Sequence, residues 1–222
     1  MQPASDGIFD GLFVLLNSMD FSNGKGDNKA GPGKIKRSQV LLDSGTLETI
    51  LPDDVANQLA QLAGAVFDKK EKGFVIPCSA ASSSANVTFG LGETGAAKIN
   101  VPLDQLILES LGSTFDSGPN KGEQKCFFAV LPSGKGPAIL GDTTLRSAYV
   151  VFDMANNEAG VACTKFNVNT SNIVPFPSMS ATIPSSTPEP GLTGAKKAAQ
   201  ASNTSEIVRR YVPRGHYVGR SH

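Results

Sequence analysis

Gln39-Val40-Leu41-Leu42-Asp43-Ser44-Gly45-Thr46 carries an apolar run straight into a polar turn, the pattern of a buried strand that ends abruptly. The turn sets a carboxylate at its mouth. Glycine lets backbone amides approach that carboxylate, and Ser44 and Thr46 supply hydroxyls that can hold it by hydrogen bonds. The same chain holds a contrasting case in Asp116-Ser117-Gly118, which has no apolar strand before it and leads into Pro119 and Asn120, a surface turn. Context, not the tripeptide, separates the two.

Working outward, Pro52-Asp53-Asp54 precedes Val55, Leu59, Leu62 and Val66, a spacing that closes on one helical face with acidic residues in the first turn. Upstream, Ile8 to Leu16 reads as a strand and Asn23 to Gly33 as a mobile surface loop. Downstream, short apolar runs are divided by Gly, Ser, Pro and Asn: Phe74 to Ile76, Val87 to Leu91, Ile99 to Leu103, Phe127 to Leu131, Ile139-Leu140, Tyr149 to Phe152 and Gly160 to Cys163. The fold class expected is all-β with short helices. After Phe166 the composition shifts to Ser, Thr, Pro, Asn and Ala, so residues 1–168 read as the folded domain and 169–222 as a largely disordered tail with a basic end. Within the tail, Ala195 to Ala201 is a candidate marginal helix.

With 222 residues, 40% hydrophobic and 18% charged, the chain can bury a core of useful size. Twenty basic and twenty acidic residues cancel, which argues against a partner bound chiefly by charge, such as nucleic acid or an anionic membrane. No stretch approaches the roughly 18 apolar residues of a membrane span, and aspartates with no basic residue precede the first apolar run, so neither an anchor nor a signal peptide is expected. Three isolated cysteines exclude paired C-x-x-C metal or redox motifs and suggest one bridge and one spare thiol. His216 and His222 have no ligand spacing, and neither a metal nor a cofactor is expected.

Pro137-Ala138-Ile139-Leu140-Gly141-Asp142, followed by Leu145-Arg146-Ser147-Ala148-Tyr149-Val150-Val151-Phe152-Asp153, changes the weight of the Asp43 turn. Taken together, the two stretches resemble the pepsin-like aspartic proteases. In that family a D-[ST]-G-[ST] turn is followed late in the same lobe by two apolar residues and a glycine that pack under the catalytic loop, then by a strand read L-R-x-x-Y-V-V-F-D. The resemblance covers about Val40 to Phe166 and is nearest to the fungal, yapsin-like branch. It implies a single lobe, the C-terminal half of a bilobal enzyme, with Asp43 the catalytic aspartate and Ser44, Gly45, Thr46 and Gly141 its support.

The resemblance further implies aspartic-type endopeptidase chemistry on a polypeptide substrate, and a secreted or cell-surface location. Cleavage of this kind uses two carboxylates sharing one proton. No second apolar strand followed by such a turn occurs here, so the second carboxylate is expected from an N-terminal lobe or a second chain, and this chain alone is expected to be inactive. Where the family usually continues with another small hydroxylated residue, this chain has Leu47 and Glu48, a departure consistent with altered specificity, a degenerate site or side chains that point away. A non-catalytic secreted or cell-surface binding module is the alternative reading. By the same resemblance Cys78 and Cys126 form the lobe's disulfide, while Cys163, in the last core strand, is expected to be buried and inert.

Gly90-Leu91-Gly92-Glu93-Thr94-Gly95 matches the dinucleotide fingerprint G-x-G-x-x-G letter for letter. A strand, not a helix, follows it, and Glu93 would repel phosphates, so a glycine-rich hairpin explains it. Asn86, Asn169 and Asn203 head glycosylation sequons, and Lys36-Arg37 and Arg209-Arg210 are dibasic pairs of the kind secretory processing proteases cut.

Overall fold

The computed structural model describes residues 12–25, 33–156, 158–188 and 205–209. Three sheets make up most of it. The first has seven strands in the order β10-β3-β11-β2-β1-β6-β7. Its members are β1 (Phe13–Ser22), β2 (Gly33–Leu42), β3 (Thr49–Leu51), β6 (Asn86–Leu91), β7 (Ala97–Pro102), β10 (Val130–Pro132) and β11 (Ala138–Leu140). The second, of four strands, is formed by β12 (Ala148–Asp153), β13 (Glu158–Cys163), β15 (Ser205–Arg209) and β14 (Ser186–Pro188) in that order. The third joins β4 (Val66–Asp68), β5 (Gly73–Pro77), β9 (Gln124–Phe128) and β8 (Ile107–Thr114).

Alternation of inward and outward residues builds the core. On β7, Ala97, Ile99 and Val101 are buried while Lys98 and Asn100 face solvent. Phe89, Val87 and Leu91 on β6 and Leu16 and Met19 on β1 fill the same interior, with Phe89, Leu16 and Met19 fully enclosed. The β6–β7 connection is the glycine-rich hairpin expected from the sequence: Leu91 pairs with Ala97, and Gly92 adopts φ 87°. Arg37, one half of a dibasic pair, is engaged there by an ion pair to Glu93 of 2.7 Å.

The helix α1 (Asp53–Ala63) covers one side of this core through Val55, Ala56, Leu59 and Ala60. It stops because Gly64 takes the left-handed conformation (φ 81°), which lets the Gly64 and Ala65 amides donate to Gln61 O and Ala60 O. The apolar spacing that ran on to Val66 therefore overshoots. Val66 belongs to β4 and is half exposed. In the third sheet Lys125 Nζ meets Asp68 Oδ2 at 2.8 Å, and this bond lowers the Asp68 carboxyl and raises the Lys125 ammonium from their ordinary values.

Cys78 and Cys126 are bonded, joining the turn after β5 to β9, as the resemblance implied. Cys163 is not buried. It ends β13 on the exposed side, where its Sγ lies 3.4 Å from both Lys98 O and the Asn100 amide, because the inward positions of that strand stop at Val161. Two strands, β14 and β15, lie beyond residue 168, inside the stretch expected to lack regular structure. They pair in parallel with one another, and β15 runs antiparallel to β13 from Glu158 to Val161. The Ala195 to Ala201 helix lies outside the described residues. Among those residues no helix is long and apolar enough to cross a membrane.

The disulfide closes a loop of 48 residues in sequence separation, so replacing both cysteines by alanine is expected to cost about 4 kcal/mol by releasing the unfolded chain. Equilibrium urea unfolding of wild type and the double variant checks it.

Candidate functional site

Strand β2 delivers Asp43. Strand β11 lies between β2 and β3, parallel to the first (Leu140 opposite Leu42) and antiparallel to the second (Leu140 opposite Thr49). Two backbone bonds then lock the turn: the Asp43 amide donates to Leu140 O, at the end of β11, at 3.2 Å, and the Thr46 amide returns to Asp43 O at 3.3 Å. Beyond β11 the chain passes through Gly141 into a single helical turn, α2 (Asp142–Leu145). Its first amides reach back, Asp142 N to Thr46 O at 2.7 Å and Thr143 N to Leu47 O at 3.0 Å. The two motifs separated by nearly a hundred residues are thus stitched together by backbone bonds.

Gly141 permits this contact. A Cβ built on it would lie 2.5 Å from Thr46 O and closer still to Glu48 O, backbone atoms that cannot move aside without unmaking the turn. No left-handed conformation is involved.

The carboxylate itself is gripped on both oxygens. The Gly45 amide donates to Asp43 Oδ1 at 2.8 Å and the Thr46 hydroxyl to Oδ2 at 2.8 Å. Both bonds favour the charged form, so the Asp43 carboxyl is held below the ordinary carboxylate value, with Thr46 the larger cause and partial burial opposing it. Among the described residues no second carboxylate contributes to that shift. Asp43 is half-buried, while Ser44, expected to share in holding it, stands exposed beside the bonds made by Gly45 and Thr46. Leu47 is 47% exposed, and Glu48 is partly buried.

Sequence reasoning overlooked a second layer. Thr49 Oγ1 lies 2.9 Å from Thr143 Oγ1 and 2.6 Å from Thr144 Oγ1, and all three side chains are fully buried. This hydroxyl cluster bonds β3 to α2 directly behind the turn, and each hydroxyl can act as donor or acceptor to satisfy the others. Paired threonines after Gly141-Asp142, in an otherwise apolar neighbourhood, were the available sign. The control turn behaves as expected: Asp116, Ser117 and Gly118 are exposed. Of the sequon asparagines, Asn86 is partly buried at the start of β6, Asn169 is exposed in irregular chain, and Asn203 lies outside the described residues. No group of three or more metal-ligating side chains occurs among the described residues.

The sequence pattern of the eukaryotic aspartyl proteases matches residues 20–164. Among curated proteins, the probable aspartic-type endopeptidase opsB of Aspergillus oryzae is 31% identical over 182 residues, 82% of this chain and 36% of the relative. Aspartic proteinase yapsin-3 of Saccharomyces cerevisiae is 32% identical over 135 residues, 60% of this chain and 24% of that protein. The chain thus spans about a third of the length of the opsB relatives it matches. Among solved structures, the aspartic proteinase from Irpex lacteus aligns over 76% of this chain and 52% of its own, with 17% identity and a TM-score of 0.46.

Two outcomes are expected from this geometry. Gly141→Ala should lose about 3 kcal/mol of stability, because its methyl group would displace main-chain carbonyls, measurable by urea unfolding. Thr46→Val should remove the largest cause of the lowered Asp43 value. A carboxyl depressed in the folded state stabilises it above its unfolded pKa, and that contribution is lost as pH falls through the folded pKa. The stability deficit of Thr46→Val against wild type should therefore shrink as unfolding is measured from about pH 7 down to about pH 3.

Proposed function

This chain belongs to the eukaryotic aspartyl protease family, and we propose that it contributes one of the two carboxylates of a peptide-hydrolysing dyad, with Asp43 as that carboxylate. One observation carries the proposal. Asp43 is oriented through both oxygens by Gly45 and Thr46 in a turn braced from below by Leu140 and Gly141, yet it is not closed off from solvent. Such a fixed, accessible carboxylate suits a group that must hold an attacking water.

In the proposed reaction, two facing carboxyl groups share one proton because like charges at close range cannot both remain ionised. The ionised member takes a proton from water as the water attacks the scissile carbonyl carbon. The protonated member donates its proton to the carbonyl oxygen, and the tetrahedral diol then collapses with cleavage of the C–N bond, the departing nitrogen receiving the proton first taken from water. The hydrogen bonds on Asp43 favour its ionised form, which fits the base at the start of the cycle. The partner carboxylate comes from an N-terminal lobe or, as the poorer option, a second copy of this chain, which brings no recognisable flap to exclude water. A polypeptide is the substrate.

A secreted or cell-surface location fits the Cys78–Cys126 bond, which persists in oxidising compartments. The half-exposed Leu47, where the family usually has a small hydroxylated residue four positions after Asp43, favours a second reading, a binding module that keeps the lobe without the chemistry. One assay separates them. The 222-residue chain alone should leave an acid-unfolded protein intact at about pH 4, and adding a matching N-terminal lobe should produce cleavage. Asp43→Asn should lower that cleavage by at least ~10²-fold. Activity of the mixture that survives Asp43→Asn contradicts the proposal, and a mixture that never cleaves supports the binding module.

A further inference from the structure

Two glycosylation sequons fall within the described residues, and the fold treats them differently. Asn86-Val87-Thr88 lies in β6, an inner strand: Asn86 pairs with Ser22 of β1 and Pro102 of β7, and Thr88 with Asp20 and Asn100. Asn169-Thr170-Ser171 lies in irregular chain, with all three residues exposed. An acceptor in irregular surface chain stays open once the domain has folded, whereas one in a doubly paired strand is reachable only while that strand is open.

The position of Asn169 is nonetheless fixed by the fold. Before it, the Thr164 amide donates to Ser147 O at 3.0 Å, and Asn167 turns the chain in a left-handed conformation (φ 57°). Beyond it, Asn156 Nδ2 donates to Ala181 O at 3.1 Å, and the buried Ile183 packs over Gly160, where a Cβ would come within 2.9 Å of its Cδ1. The segment is thus held at both ends against the β12–β13 hairpin.

Between these ties Asn169 sits among uncovered apolar side chains. Phe166 and Val168 precede it, about half exposed, and Ile173 and Met179 follow, 87% and 89% exposed. No charged side chain occurs from Phe166 to Ala181. Large apolar side chains in so short a stretch, with no charge to hold them in water, form a surface that needs a cover. An oligosaccharide is bulky and solubilising, and its attachment point lies within the stretch itself. We propose that Asn169 carries an N-linked glycan and that this glycan shields the apolar side chains around it. This rests on the secreted or cell-surface location proposed above and not on the dyad. The donor is a lipid diphosphate-linked oligosaccharide. Asn169 Nδ2 forms the new bond to the anomeric carbon of its first sugar, the carbon–oxygen bond to the diphosphate breaks with its electron pair leaving on the lipid diphosphate, and the displaced amide proton passes to solvent. Ser171 supplies the hydroxyl that the acceptor pattern requires.

The test sends the 222-residue chain through the secretory pathway of a eukaryotic cell behind an added cleavable leader. The secreted chain should carry a glycan that a peptide-N-glycosidase removes, and digestion in heavy-oxygen water should label position 169. Asn169→Gln and Ser171→Ala should each abolish that label, and Ser171→Thr should keep it. Offered already folded to a purified oligosaccharyltransferase and its lipid-linked donor, the leaderless chain should accept sugar at Asn169 at least ~10-fold faster than at Asn86, which must first leave the sheet. The Asn169→Gln chain should bind an apolar-surface dye with at least ~2-fold brighter fluorescence than the glycosylated wild type. Adding Ile173→Ser and Met179→Ser should cancel that rise without moving the thermal midpoint, because both side chains are almost wholly exposed. An unlabelled position 169 in the secreted chain, transfer to the folded chain that favours Asn86, or equal dye binding with and without the glycan would overturn the proposal. Because the leader fixes the route, these failures concern Asn169 alone, whereas the location reading falls if the native chain is found outside the secretory pathway.

Discussion

Nothing larger than hydrogen fits at position 141: a Cβ there would press into the carbonyl oxygens of Thr46 and Glu48. That one close approach lets β11 slide between β2 and β3 and brings the amides of Asp142 and Thr143 onto the carbonyls of Thr46 and Leu47. The turn is held at its floor as well as by its own Thr46 amide bond to Asp43 O. The Gly45 amide and the Thr46 hydroxyl direct their protons at the Asp43 carboxylate. The buried hydroxyls of Thr49, Thr143 and Thr144 then fix α2 to β3, so the floor cannot shift sideways.

Long-range backbone contacts of this kind leave clear traces in a sequence when each partner is locally unusual. Val40 to Leu42 followed by Asp43-Ser44-Gly45-Thr46, and Ile139-Leu140 followed by Gly141, are both abrupt changes from apolar to polar or small, and each marks where a buried strand stops. Strands with strict alternation, such as β7, were equally plain. The third sheet was less legible because β8 presents mostly exposed or half-buried positions, so Ile107 to Thr114 shows no apolar run. The helix ended before its apolar spacing did, since the left-handed Gly64, a local backbone event, outranks periodicity. Strands β14 and β15 were hidden for a different reason. Three residues ending in Pro188 are too short to read as a strand, and the short β15 is fixed by pairing with β13, while β14 in turn pairs with β15. Burial of Cys163 was misjudged because a strand's last residue follows the alternation only while a neighbouring layer continues to cover it.

Two surfaces with opposite character emerge on one chain. Around Asp43 the polar groups are few, fixed and satisfied, which is what preorganised chemistry requires. Between β13 and β14 large apolar side chains such as Ile173 and Met179 stand exposed among Asn, Ser and Thr.

The central claim is that Asp43 is one half of a dyad. Its most direct test is the ¹³C NMR titration of the Asp43 carboxyl carbon, first in the chain alone and then with the N-terminal lobe bound. Alone, Asp43 should titrate in a single step below the ordinary carboxylate value, as its bonds to Thr46 and Gly45 dictate. With the lobe bound, the same signal should split into two coupled steps, one of them raised, because a second carboxylate now shares its proton. A titration unchanged by the lobe would contradict the account.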